Sequence, residues 1–368
     1  MKNNHVFKEI LEQFDFKGEF KEAKPYGLGH INDTYVVSYV QKNELIIRYI
    51  LQRINTNVFK TPENLMENIK NVTTYLKEKI IARGGDSERE TLNLIKAVDG
   101  KVFYISSIGD YWRSYLFIEN AKTYQMVENP KHFYNAGKAL GNFEELLKDY
   151  PAHKLHETIP DFHNTQKRFQ AFIEAVENDV MNRAKYVQTE IAIALTSGES
   201  VSILVDLLKE GKLPLRVTHN DTKFNNVMID DITGEGICVI DLDTIMPGLS
   251  LYDFGDAIRT GTNPAEEDET NLTKVCMDLE LFENFTKGFL MGTNNSLTEL
   301  ELEYLPFSAK LMTFECGLRF LTDHLNGDTY FKIHRENHNL DRARTQFKMV
   351  EDMEKKFEEM QAIVKKYC

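Results

Sequence analysis

The chain has 368 residues, 42% hydrophobic and 27% charged, enough for two domains or two lobes around a real core. A net charge of −13 argues against a nucleic-acid partner, because neutralising phosphates takes a basic stripe. Cys238, Cys276, Cys316 and Cys368 lie far apart, so neither a zinc site nor a disulfide framework is expected. The opening MKNNHVFKEILEQFDF has no uninterrupted apolar run, and no stretch reads as a membrane span. A cytoplasmic chain with no membrane partner is expected.

In chain order, residues 6–14 read as a short amphipathic helix. Gly27 and Gly29 mark a turn, and β-rich runs follow at 34–40 and 44–54, so 20–54 reads as strands joined by tight turns. TPENLMENIKNVTTYLKEK is a helix: Thr61 is placed to cap it, Pro62 suits its first position, and Leu65, Ile69, Val72 and Leu76 make one stripe. RETLNLIKA, KVFYISSIG and YWRSYLFIE are three further strand candidates. Beyond about residue 121 the periodicity turns helical, over 131–149, 163–186, 188–210, 276–291, 299–326 and 338–366. One β-like interruption falls at 225–243. The layout is α+β: a small, mostly antiparallel sheet lobe with one helix over 1–120, then a larger helical lobe over 121–368.

That interruption carries the chemistry. RVTHNDTKFNNVMI (216–229) runs into GICVIDLDT (236–244), so Asp221 and Asn226 stand five apart and Asp241 follows twenty beyond Asp221. Phosphoryl transfer needs an aspartate to take the acceptor hydroxyl's proton and an amide oxygen for metal. It also needs an aspartate on the next hairpin to hold the metal that bridges the ATP phosphates. Asp221 as base with Asn226 and Asp241 as metal ligands meets that demand. DFG occurs literally at 253–255, but Asp253 lies 32 residues past Asp221 beyond a Pro-Gly turn, so Asp241 is better placed for metal. Asp243 reads either as a second metal ligand or as a solvated strand-end carboxylate. Lys223 reads either as a phosphate contact or as a surface lysine, and His219 as a structural loop histidine.

The pattern H-x-D-x-x-x-x-N followed by I-D-x-D resembles the aminoglycoside phosphotransferase and choline kinase branch of the protein-kinase-like fold. GHINDTY (29–35), YILQRIN (49–55), THNDTKFNNVM (218–228), CVIDLDTIMPGLSLYDFGDAIR (238–259) and ECGLRFLTDHLNGDTYF (315–331) bring the resemblance closer to bacterial N-acetylhexosamine 1-kinases. It implies a two-lobe kinase-like fold, ATP and Mg2+ as cofactors, and transfer to the 1-hydroxyl of N-acetylglucosamine (GlcNAc) or N-acetylgalactosamine (GalNAc). It also implies that an aspartate of LYDFGD braces the catalytic loop, and that His30, Arg319 and Tyr330 contact the sugar with Asp221. Arg319 in an apolar helical run needs a partner or a ligand, or else snorkels. Tyr330 reads equally as a core tyrosine.

For ATP, YGLGHIND is half of a Gly-x-Gly-x-x-Gly loop: Gly27 and Gly29 allow close approach, and the third glycine is absent. No V-A-I-K lysine exists, so Arg53 is the expected phosphate cation, with Arg48 as competitor. Its expected acidic partner is Glu67, with Glu63 as competitor, on helix 62–79. YLFIENAKT, including Glu119, belongs at the hinge beside adenine. Kinases of choline, homoserine or aminoglycosides share the core motif. A non-catalytic nucleotide-binding regulator is the alternative of a different class.

Overall fold

The computed structural model describes residues 2–27, 31–127 and 129–368. Helix α1 (Lys2–Glu12) precedes strands β1 (Glu19–Pro25), β2 (Asp33–Val40) and β3 (Ile46–Arg53). Helix α2 (Pro62–Ala82) intervenes before β4 (Tyr104–Ile105) and β5 (Tyr111–Leu116). These strands form one antiparallel sheet in the order β1-β2-β3-β5-β4. Strand alternation gives the sheet two different faces. Tyr49 and Leu51 of β3 pack with Val37, Trp112 and Ile10 of α1, whereas Ile50 and Tyr115 face the core shared with the helical part. Helix α2 buries the expected stripe of Leu65, Ile69, Val72 and Leu76 in that shared core. Thr61 stands at its N-cap position, but its hydroxyl makes no capping bond.

RETLNLIKA is not a strand. It runs along β5 with only the Ile95 N–Ser114 O and Leu116 N–Asn93 O bonds, each 2.9 Å. Asn93 Nδ2 meanwhile satisfies the carbonyls of Ser87 and Thr91. Local side-chain bonding has displaced a full ladder.

The remaining chain is mainly helical. Strand β6 (Ala121–Lys122) and helices α3 (Pro130–Leu147), α4 (Thr165–Asn178), α5 (Gln188–Thr196) and α6 (Ile203–Lys209) lead to β7 (Arg216–Thr218). Then come β8 (Val227–Asp230), β9 (Gly236–Val239), β10 (Met246–Gly248), α7 (Ser250–Gly261), α8 (Leu279–Thr293), α9 (Glu299–Leu325), α10 (His338–Lys355) and α11 (Phe357–Tyr367). The chain therefore has a mixed α+β fold, an antiparallel sheet followed by a mainly helical part.

Helices α3 and α8 pack closely because glycines line their seam: a Cβ on Gly288 would sit 2.0 Å from the Tyr134 carbonyl oxygen. One expectation needs amending. Gln188–Lys209 reaches the length and apolarity of a membrane span, with a mean hydropathy of 1.7 over its most apolar window. It is bent into α5, a 3-10 turn and α6, and Val187, Ile191, Ala194 and Val201 pack with residues of α9 and α10.

Candidate active site

Strand pairing brings the motif residues together. Val227 of β8 faces Val239 of β9, and Ile240 N donates to Asn226 O at 2.9 Å. Asn226, which precedes β8, therefore lies beside the residues that follow β9, and the long sequence interval to Asp241 closes across one hairpin. Met246 of β10 pairs with Thr218 of β7, so both ends of the catalytic loop are anchored to the segment carrying Asp241.

The loop itself is held by buried side chains. Asp253 accepts the backbone N–H groups of His219 and Asn220, both at 2.7 Å, and is only 2% exposed. His219 donates from Nε2 to Ile240 O at 2.7 Å, while its Nδ1 accepts Asp221 N–H at 3.3 Å. It ties the loop to the strand before Asp241. The DFG triplet lies on helix α7, which the sequence reading did not anticipate. Phe254 is fully buried against Phe282, Phe285 and Phe289. A Cβ on Gly255 would meet Ser308 O of α9 at 2.5 Å, so this glycine serves helix packing.

Asp221 pairs with Lys223 at 2.8 Å. Burial works to raise its carboxyl, but the Lys223 ammonium, with His219 and Arg259 behind it, holds it below the ordinary value. Asn226 turns its Nδ2 to Asp221 O at 2.8 Å, which leaves the amide oxygen as acceptor.

Asp241 adopts a left-handed backbone, φ 61°, a conformation short polar residues tolerate. Among the described residues its carboxylate accepts no hydrogen bond. Its residue surface is exposed, yet the protein packed around the carboxyl partly desolvates it, and this, together with Asp243 and Asp221, pushes it up to about 6. An unpartnered carboxylate raised by neighbouring acids, beside a free amide oxygen, is a donor set that suits a divalent cation. Among the described residues no three His, Cys, Asp or Glu side chains group to hold a metal alone. Mg2+ commonly takes one or two carboxylates and draws its other ligands from water and phosphate, so Asn226 and Asp241 fit it.

Arg53 and Glu67 are not partners. Arg53 lies opposite Asp33 in the β2–β3 pairing and binds that carboxylate and Asp110. Glu67 binds His156 at 2.9 Å, and Glu63 accepts from the Tyr111 hydroxyl. Alternation explains the correction: Arg53 shares the outer face with Leu51, whereas Arg48, Ile50 and Gln52 share the other face. Arg48 binds Glu119 and covers the Phe117 ring at 4.0 Å, and Glu119 O accepts from Arg89 at 2.9 Å.

A buried cation beside Asp241 and Asp243 is one the sequence reading missed. Arg113 of β5, 1% exposed, forms an ion pair with Asp243. Gly27 takes a left-handed φ of 78° where β1 turns toward β2. Gly29 and His30 lie outside the described residues.

Arg319 is half-buried on α9. Its guanidinium sits over the rings of Phe162, Phe331 and Tyr330 at 5.2, 5.5 and 5.8 Å, with only a 3.5 Å contact to the Tyr330 hydroxyl. Among the described residues no carboxylate forms an ion pair with it, although against burial, and after His163, its charge helps hold the nearby Glu315 carboxyl down. Asp323 shapes the loop that presents Tyr330 by accepting the N–H groups of Thr329, Tyr330 and Phe331. Tyr330 is 62% exposed, not a core residue. One turn before Arg319, Glu315 binds His163 at 2.9 Å, whose other ring nitrogen meets Asn220 O at 3.0 Å. That chain of contacts ties α9 directly to the catalytic loop.

Solved structures share this architecture. The amicoumacin kinase hAmiN, in complex with AMP-PNP, Ca2+ and Ami, aligns at TM-score 0.60 and 14% identity, covering 95% of this chain and 94% of that one. Spectinomycin phosphotransferase APH(9)-Ia, in complex with ADP and spectinomycin, aligns at 0.56 and 14%, covering 95% and 96%. A choline kinase from Cryptosporidium parvum Iowa II aligns at 0.56 and 16%, covering 93% and 91%. At such identities these are likenesses of fold. The profile of the phosphotransferase enzyme family matches residues 22–276, taking in the sheet, the catalytic loop and the β8–β9 hairpin. The chain belongs to the phosphotransferase enzyme family.

Proposed function

We propose that the protein transfers the γ-phosphate of ATP to the anomeric hydroxyl of an N-acetylhexosamine, GlcNAc or GalNAc, giving the sugar 1-phosphate. Asp221, kept ionised by Lys223, orients the hydroxyl and takes its proton. Asn226 and Asp241 would hold Mg2+, which when bound neutralises phosphate charge. Gly27, Gly29 and the hinge about Glu119 are assigned to the nucleotide, with Arg48 better oriented toward it than Arg53. Most of the rate enhancement then comes from alignment and charge neutralisation.

The observation that carries the phosphotransfer reading is the β8–β9 hairpin, which sets Asn226 beside the turn bearing Asp241. For the acceptor, support comes from Arg319, a half-buried guanidinium with three rings and no ion-paired carboxylate. It favours a ligand rich in hydroxyl and carbonyl acceptors over a cationic one such as choline. His30, Arg319 and Tyr330 are assigned to the sugar.

The test is ADP release across GlcNAc, GalNAc, their non-acetylated parents, choline, homoserine, an aminoglycoside and no acceptor. Turnover with N-acetylhexosamines above all others supports the reading. Turnover with choline, homoserine or the aminoglycoside instead moves the protein to another acceptor class, and nucleotide binding without turnover makes it a regulator.

A further inference from the structure

The Arg113–Asp243 pair does something the proposed roles leave unexplained. Arg113 comes from the sheet and Asp243 from the turn after β9, and both are buried. Arg113 Nε also donates to Gln52 Oε1 at 3.0 Å. The second carboxylate oxygen of Asp243 accepts Asn32 Nδ2 at 2.6 Å, and Asn32 Oδ1 accepts Asn55 N at 3.0 Å. Asn32 closes the segment joining β1 to β2, the one assigned to the nucleotide phosphates. A single carboxylate thus joins that segment, the sheet and the turn bearing Asp241.

Energetics argue against a purely stabilising role. Desolvating two charges consumes most of their attraction, so a buried ion pair adds little net stability over an apolar isostere. A guanidinium on one oxygen and an amide donor on the other also disfavour a metal ion at Asp243.

We propose that Asn32, Arg113 and Asp243 form a clasp between the lobes: Asp243 is a positioning residue that holds Asn32 at the entry to β2 and fixes the turn carrying Asp241, and is not a metal ligand. The inference rests on the kinase reading above. Arg113 replaces the expected Arg53–Glu67 pair as the buried cation that organises the sheet lobe against the metal site.

The test measures affinity for AMP-PNP with Mg2+ by calorimetry, with melting temperature and Mg2+ titration on the same preparations. Wild type is compared with Asn32→Ala, Arg113→Met, Asp243→Asn and the double variant Arg113→Met/Asp243→Asn. Each single change should weaken AMP-PNP binding by about tenfold, and the double variant should bind no worse than the weaker single, the signature of coupled residues. Either single variant strands a buried charge and risks unfolding. The double variant removes both charges and should melt near wild type while still binding poorly.

A folded double variant with wild-type affinity overturns the clasp. So do multiplicative losses, or an Mg2+ requirement that rises with Asp243→Asn but not with Arg113→Met. Failure of wild type itself to bind AMP-PNP with Mg2+ sinks the kinase reading, and the clasp with it.

Discussion

Asp241 and Asp253 stand twelve residues apart, each in an acidic stretch, and folding pushes both carboxyls up to about 6. Their surroundings differ. Asp253 is raised by burial but is met by two backbone N–H groups and braces the catalytic loop. Asp241 is raised by burial and two neighbouring carboxylates, and among the described residues no donor meets it. The shift is the same and the surroundings are opposite: one acid is satisfied by backbone donors, the other is met by none among the described residues. A perturbed carboxyl alone therefore does not mark a metal site; its partners do.

The sharpest way to break this comparison is to neutralise each acid of the site. Asp221→Asn should lower turnover by roughly 10²–10⁴-fold, the scale of a positioned base, and Asp241→Asn should sharply weaken Mg2+-dependent turnover, while the melting temperature of each stays near wild type. Steady-state kinetics and thermal melts on the same samples check it. The next largest effect should be on stability: Asp253→Asn leaves one buried backbone donor unpaired and should cost about 1–3 kcal/mol in denaturant unfolding. Its Mg2+ dependence should not move; a shift there would make Asp253 the metal ligand.

Arg319→Met sharpens the contrast on the acceptor side. Losing a charge-assisted hydrogen bond should raise the sugar KM by about tenfold, with the ATP KM unchanged. A lower melting temperature with both KM values unchanged would make the arginine structural. The smallest effect concerns Glu144, which accepts from the Ser250 hydroxyl and faces Asp253 and the Arg216–Glu301 pair. Burial, then Asp253, pushes its carboxyl well above the ordinary 4.5. Stability from a raised carboxyl is full below its unfolded value and is lost as pH rises through the folded one. Glu144→Gln should therefore flatten the fall in melting temperature above about pH 4.5. A variant curve parallel to wild type would contradict that.

Residues whose placement follows from a short linear pattern were legible in the sequence. Asp221, Asn226 and Asp241 are brought together by one hairpin, and two short continuous apolar runs, 227–229 and 237–240, announce it. The α2 stripe was legible for the same reason. What escaped depends on pairing between distant strands. Arg113 pairs with Gln52 across β3–β5 and lies buried against Asp243, and nothing in YWRSYLFIE reveals either partner. Arg53 was recoverable, since counting by twos from Leu51 places it on the outer face. Helix α7 was missed because a Pro-Gly turn leads into it and DFGD reads as a loop motif. Its Gly255 is explained only by the closeness of α9.

The most direct test of the central claim is the product itself. Wild-type protein, ATP, Mg2+ and GlcNAc or GalNAc are incubated, and the phosphorylated sugar is followed by phosphorus NMR coupled to the sugar protons. A phosphate signal coupled to the anomeric proton is expected, growing roughly 10²–10⁴-fold more slowly when Asp221→Asn replaces wild type. Phosphate on any other sugar carbon, or anomeric product formed at the wild-type rate by Asp221→Asn, would contradict it.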